Sequence, residues 1–167
     1  MTSTTSGGTL RQLWRGARPQ QWIKNTFVFL PVIFGRKIFN ADAWLSGLEM
    51  FVIFCVAAGS VYLWNDAVDA ASDRLHPVKR ERPVASGALS ARSAVTVAAA
   101  GMILALIGGY GLQPWFGHVI ALYIGLNIVY TAWLRDFVVI DVFCISFFFV
   151  LRVISAPPMI QRPRTQT

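Results

Sequence analysis

The sequence predicts an all-α, polytopic transmembrane helix bundle of about five helices, and three observations carry that prediction. The 167-residue chain is 55% hydrophobic and only 14% charged, whereas soluble domains carry about 25% charged residues. Five apolar segments each approach the roughly 20 residues that cross a bilayer as a helix. Unpaired backbone groups are so costly in lipid that such segments are read as helices. Finally, the cations gather in particular connections rather than along the spans.

The elements follow in order. Residues 1–17 begin with a Ser/Thr/Gly-rich stretch and are expected to be a disordered cytoplasmic N-terminus, with no positive–apolar–small-residue pattern of a cleaved signal. The first apolar segment covers residues 22–39 and is interrupted by Pro31, so it is expected to be short and kinked. The second covers 43–73, apolar up to Trp64 and then abruptly acidic. The third, 91–112, is rich in Ala, Gly and Ile, and its Gly108-Gly109-Tyr110-Gly111 cluster marks a turn or close helix packing. The fourth and fifth cover 115–134 and 137–156, and residues 157–167 form a polar tail with no assigned fold. Cys55 and Cys144 sit inside apolar runs and read as inert thiols.

Charge sets orientation. Arg11, Arg15, Arg18 and Lys24 precede or open the first span, and Arg74, Lys79, Arg80, Arg82 and Arg92 separate the second from the third. The turn at Gln113–Pro114 has no charge, whereas Arg36 and Lys37 run against the bias. The positive-inside tendency then places the N-terminus and the 74–92 loop in the cytoplasm. Five crossings would leave the C-terminus outside. The net charge of +7 would indicate nucleic acid in a soluble protein, but in so apolar a chain it indicates anionic lipid or phosphate instead. No nucleic-acid partner is expected.

The chemistry concentrates in one stretch, Asn65-Asp66-Ala67-Val68-Asp69-Ala70-Ala71-Ser72-Asp73, followed by a loop with Lys79, Arg80 and Arg82 between Pro77 and Pro83. On a helical wheel Asp69 and Asp73 lie about 60° and about 20° from Asp66, with Asn65 within an arc of roughly 100°. Carboxylates stacked at this spacing destabilise a bare helix, and here they follow directly on a membrane span. A hard divalent cation offsets that repulsion, and Mg²⁺ typically takes one or two carboxylates plus substrate phosphates. Arg grips phosphate through its fork and Lys as a mobile point charge. Mg²⁺ on Asp66, Asp69 and Asp73, with phosphate on Lys79, Arg80 and Arg82, is therefore one reading; a solvated cytoplasmic helix end is the other. The alternating Asp pattern of a calcium-binding EF-hand loop is absent.

Weaker candidates lie elsewhere. Lys24 and Asn25 are either phosphate ligands or an interfacial anchor. Tyr130 and Asn127 either face a cavity or pack between helices. Arg135 either pairs with Asp136 at the surface or lines the cavity, and Arg152 is a snorkelling anchor or a cavity residue. His118 reads as interfacial.

Asn-Asp-x-x-Asp-x-x-x-Asp at the end of a membrane helix, then a basic loop ending Arg82-Pro83-Val84-Ala85-Ser86-Gly87, resembles the first Asp-rich motif of the UbiA superfamily of intramembrane prenyltransferases. Within it the chain is most similar to the decaprenyl-phosphate phosphoribosyltransferase branch. The similarity rests on Arg18-Pro19-x-Gln21-Trp22-x-Lys24-Asn25, on His76-Pro77-x-Lys79-Arg80-x-Arg82-Pro83, and on Tyr130 to Arg135, Val139-Ile140-Asp141 and Leu151-Arg152. It covers residues 18–156 as a partial UbiA-like domain.

The resemblance implies transfer of 5-phosphoribose from phosphoribosyl diphosphate to a polyprenyl phosphate, in arabinan and cell-wall precursor synthesis at a bacterial plasma membrane. It implies that Asp66, Asp69 and Asp73 hold Mg²⁺, with Asp66 and Asp69 catalytic. Lys24, Asn65, Lys79, Arg80 and Arg82 would bind substrate phosphate, and Tyr130 and Arg135 would line the cavity. A prenyltransferase that alkylates an aromatic acceptor with a prenyl diphosphate is the alternative. Members of the superfamily have about nine transmembrane helices and a second polar motif, so an incomplete bundle is expected here, and an inactive or lipid-binding fragment is the third reading.

Overall fold

The computed structural model describes residues 6–134 and 138–155, and among them regular structure is helical, without a strand. Helix α1 covers Ser6–Gly16, and a tight 3₁₀ run, Pro19–Phe29, leads into the short α2, Leu30–Phe34. Helices α3, Ala41–Val68, and α4, Ala70–Leu75, precede the basic loop, and α5 covers Ala91–Leu112. Helix α6, Pro114–Val129, continues as one π-helical turn, Tyr130–Leu134, and α7 covers Val138–Ile154. The polar tail at 157–167 lies outside the described residues.

Among the described residues three helices are long and apolar enough to cross a membrane: Ala41–Val68, Ala91–Leu112 and Pro114–Ala132. Their ends carry local signals. The Asn40 side chain accepts from the Ala43 amide at 3.0 Å, and Asp42 stands in the first turn, where the helix dipole favours an anion. Ser90 caps α5 by accepting from the Ser93 amide at 3.0 Å. Pro114 opens α6, where its missing N–H costs nothing.

Two expectations change. Residues 6–16, placed in a disordered N-terminus, form α1, because Leu10, Leu13, Trp14 and Ala17 recur at helical spacing and line one side of a cavity. The segment at 22–39 is not one kinked α-helix. Pro19 and Pro31 each open a new element, and a 3₁₀ run takes the place of the first turns. A 3₁₀ helix rises about 2.0 Å per residue, so residues 19–34 still reach about 30 Å, near the hydrocarbon thickness.

The main core gathers the first segment, α3, α5, α6 and α7. Phe54 of α3 is fully buried, with its ring 5.6 Å from Phe116 and 5.7 Å from Tyr123 of α6, both edge-on. Val28 and Val32 enter from the first segment, Ala105 from α5 and Leu151 from α7. Helices in lipid associate through close packing rather than a hydrophobic driving force. Gly109 of α5 shows this: a Cβ there would lie 3.3 Å from the Gly117 Cα of α6. Gly108 and Gly109 of the glycine cluster serve helix packing, whereas Gly111 faces open space.

Candidate functional site

The acidic column forms where α3 gives way to α4. Asp69 sits at the bend, with φ −85° and ψ −3°, yet the hydrogen-bond ladder continues through it: Asp69 N to Asn65 O and Asp73 N to Asp69 O are both 2.9 Å. Asp66 and Asp73 therefore stay on one side, 1% and 3% exposed. Asp69 is half-buried at the bend. Among the described residues no three acidic, His or Cys side chains form a metal-ligand group. The expected three-carboxylate cluster is thus not assembled as such, because the bend interrupts the straight helix on which it was drawn.

Guanidinium groups bind the two buried carboxylates. Arg18 donates to Asp66 Oδ1. Arg82 Nη1 donates to Asp73 Oδ2 at 2.7 Å and lies 3.7 Å from Asp66 Oδ1. One nitrogen cation thus occupies the space between the two acids.

The backbone places both arginines. Arg18 is left-handed, φ 50° and ψ 61°, a conformation costing a non-glycine residue about 1–3 kcal/mol. That turn between α1 and the 3₁₀ run brings its side chain to Asp66 and over the Tyr62 ring, at 5.1 Å from the centroid. Arg82 follows a turn ordered by His76, whose Nδ1 accepts from the amides of Val78 and Lys79 at 3.2 and 3.3 Å. Arg74 Nε donates to Ala85 O at 3.2 Å, and Leu89 N donates to Pro83 O at 2.8 Å. Gly87, at φ 80°, takes the left-handed position that this return requires. Val84 and Leu89 then bury against Leu63, Ala94 and Ala98, so the loop is docked rather than free.

Together these residues enclose a polar cavity of about 470 Å³, lined by Arg15, Arg18, Gln20, Asp66, Val78, Lys79, Glu81, Arg82 and Pro83. Four cations and two carboxylates line it, Asp66 buried and Glu81 exposed, a lining of net positive charge that suits an anion; Asp73 is not in the lining and reaches the cavity only through Arg82. Asp66 Oδ2 is buried and has no hydrogen-bond partner among the described residues. A buried carboxylate oxygen without a partner carries a large desolvation penalty. It fits a cation that takes one or two carboxylates and completes its shell with phosphate, the usual Mg²⁺ arrangement.

Other expected residues are placed differently. Arg80 and Lys24 are exposed and do not line this cavity. Asn65 meets Thr131, whose Oγ1 lies 2.8 Å from Asn65 Oδ1 and 2.9 Å from Asn127 O, so the end of α6 is tied to the acidic column. Tyr130 is half-buried in the adjoining π turn. Arg135 and Asp136 lie outside the described residues, as does the side chain of Cys144. His118 is exposed, with Nδ1 2.6 Å from Pro114 O.

Arg152 is buried rather than a snorkelling anchor, and it does not line this polar cavity. It is 5% exposed, donating from Nε to Asn25 Oδ1 at 2.9 Å and from Nη1 to Phe148 O at 2.6 Å. Its guanidinium also sits over the rings of Tyr123 and Phe54, at 5.1 and 5.6 Å. Asn25 in turn donates to Cys55 Sγ at 3.3 Å. No carboxylate lies within ion-pair distance of Arg152 among the described residues. The cation is instead satisfied by neutral oxygens and ring faces, and it clamps α7 to the segment that carries Arg18. The sequence signals for this clamp, Asn25 and Arg152, are each a polar residue beside an apolar run; Tyr123 carried none.

The fold and this cavity define an α-helical membrane protein with a cation-lined polar cavity at one end of its spans. The chain belongs to the UbiA prenyltransferase family, whose model matches residues 28–162. It is 34% identical over 158 residues to decaprenyl-phosphate phosphoribosyltransferase of Mycolicibacterium smegmatis, covering 92% of this chain and 50% of that protein. It is 37% identical over 147 residues to the protein of the same name from Corynebacterium glutamicum, covering 84% of this chain and 44% of the relative. The nodulation protein NoeC of Azorhizobium caulinodans is 33% identical over 144 residues, 83% of this chain and 45% of that protein. The chain spans about half the length of these curated relatives.

Proposed function

We propose that the polar cavity binds phosphoribosyl diphosphate with Mg²⁺, and that the protein of which this chain carries the site transfers 5-phosphoribose to a polyprenyl phosphate. The observation that carries this reading is Asp66, buried in the lining of a cavity with four cations, with Oδ2 unpartnered among the described residues and Asp73 joined to it through the Arg82 guanidinium. The names of the relatives support the choice of donor and acceptor.

Asp66 and Asp73 would hold the metal, with Asp69 and Asn65 beside them. Mg²⁺, when bound, supplies charge that neutralises the diphosphate and favours its departure. Lys79, Arg82, Arg15 and Arg18 face the cavity and stabilise negative charge growing on the leaving diphosphate. An oxygen of the lipid phosphate attacks the anomeric carbon. The new C–O bond forms as the bond to diphosphate breaks, and diphosphate leaves with the electron pair. Arg80 and Lys24 add positive potential from outside the cavity. Placed in cell-wall precursor synthesis, the reaction would use lipid in the bacterial plasma membrane.

Calorimetry on the purified chain, with and without Mg²⁺, tests the donor. Phosphoribosyl diphosphate should bind at least about 100-fold more tightly with Mg²⁺ than without it, and with Mg²⁺ a prenyl diphosphate of the alternative reading should bind at least about 10-fold more weakly, a difference of about 1.4 kcal/mol. Tighter binding of the prenyl diphosphate would move the assignment to alkylation of an aromatic acceptor.

The cytoplasmic placement of the cavity is part of the same proposal. Ser86 and Gly111 are exposed at opposite ends of α5. In a variant without native cysteines, Ser86→Cys should react with an impermeant thiol reagent only from the cytoplasmic side, and Gly111→Cys only from outside. Reversed labelling would move the cavity to the other face of the membrane.

A further inference from the structure

A second cavity, of about 670 Å³, opens beside the polar one and is almost entirely apolar. Its roof is α1 and the residue that follows it: Leu10, Leu13 and Trp14 of the helix, with Ala17 just beyond its end, keep the i, i+3, i+4, i+7 spacing of a single face. Its floor is α3, and Val97 and Gly101 of α5 form its far side.

Helix α1 is held tightly only at its C-terminal end. A Cβ on Gly16 would lie 2.6 Å from Leu63 Cδ2, and one on Gly59 would lie 3.2 Å from Ala17 Cβ. Towards the N-terminus the roof is loose. Leu10 and Trp14, although they line the groove, are 70% and 59% exposed. The apolar stripe of α1 is therefore underpacked over a groove of a size typical for small-molecule sites, about 300–1,000 Å³.

The two cavities share a wall. Arg15 and Arg18 line the polar one while Trp14 and Ala17 line the groove, and on α3 Leu63 lines the groove one turn before Asp66 enters the polar cavity. A ligand lying across this wall would put an anionic head among cations and an unbranched apolar length beneath α1. Arg11, on the rim of the groove, adds charge of the right sign for a phosphate.

We propose that this groove seats the hydrocarbon chain of a lipid phosphate whose head enters the polar cavity, and that α1 is its roof. The inference rests on the acceptor assigned above and adds where its chain lies. Bulk phospholipid is the competing occupant, and it differs by lacking a phosphate monoester.

The test uses the chain in nanodiscs with a polyprenyl monophosphate that carries a photoreactive diazirine along its tail. Adducts should map to residues 10–17 and 97–101. Unlabelled polyprenyl phosphate should compete them away, whereas the matching polyprenol and phosphatidylcholine should not. Val97→Trp fills the groove at a 39% exposed position that tolerates bulk, and it should lower adduct yield about 10-fold, as should Leu10→Glu on the roof. Both variants should keep Mg²⁺-dependent phosphoribosyl diphosphate binding. Competition by phosphatidylcholine equal to that by the lipid phosphate, or adducts unchanged in both variants, would overturn the proposal. If adducts map to the groove and respond to both variants while phosphoribosyl diphosphate fails to bind any form, the donor assignment falls and the groove stands.

Discussion

Asp66→Asn is expected to remove Mg²⁺ dependence from diphosphate binding altogether. In the parent chain Mg²⁺ should tighten phosphoribosyl diphosphate by at least about 100-fold, equivalent to about 2.7 kcal/mol; in the variant that ratio should fall to about 1. The side chain keeps its shape, so the change is one of charge and of metal-ligating power. Asp66 is 1% exposed and its Oδ2 has no hydrogen-bond partner among the described residues, so the oxygen most available to a metal is the one the substitution replaces. Binding without metal should survive weakly, because Arg18 and Arg82 lose an anion and remain free to attract the diphosphate. Asp42→Asn is the control. It is exposed at the other end of the same helix, about 36 Å away at 1.5 Å per residue, and should leave the ratio unchanged. Calorimetry of both variants with and without Mg²⁺ decides the matter: equal metal dependence in the two would reduce the acidic column to a solvated helix end.

How much of this was legible in the sequence follows from which interactions are local. The column of Asp66 and Asp73 is readable because helical spacing places positions seven apart on one side. The membrane spans α3, α5 and α6 are readable from apolar length alone. The bend at Asp69 is not, since nothing in Val68-Asp69-Ala70 breaks a helix. Arg18 was visible as a cation before the first span, but its partner Asp66 lies 48 positions away, and no local pattern indicates a left-handed turn at an arginine. Arg152 misled for the same reason. A cation at the end of an apolar run reads as an interfacial anchor, while its acceptor Asn25 is 127 positions away. In the first segment, Pro19 and Pro31 mark where elements change, but apolar composition does not distinguish a 3₁₀ run from an α-helix. The helix at 6–16 was hidden by the Ser/Thr/Gly-rich start, although its apolar stripe has helical spacing.

Arg82→Ala is expected to move two affinities in opposite directions, and that sign makes it the sharper test of what the guanidinium does. Its Nη1 stands 2.7 Å from Asp73 and 3.7 Å from Asp66, in the space a divalent cation would occupy. Removing it leaves two buried carboxylates facing each other, so Mg²⁺ alone should bind about 10-fold more tightly, a gain of about 1.4 kcal/mol. The same change deletes charge-assisted hydrogen bonds to the phosphate, each contributing about 1.5–3 kcal/mol. Binding of the Mg²⁺–diphosphate complex should therefore weaken by about 10- to 100-fold. Arg82→Lys keeps the charge without the fork, so it should restore the parent Mg²⁺ affinity but only part of the diphosphate affinity. Arg80→Ala, at an exposed position outside the cavity lining, should change either affinity less than about 3-fold, as expected for a screened surface charge. If Arg82 merely pinned the loop, its loss would loosen the site and weaken both ligands together. A parallel fall in Mg²⁺ and diphosphate affinity would thus show that Arg82 is only a structural tether, whereas opposite changes would place it in the anion site, trading two carboxylates for a phosphate as the substrate arrives.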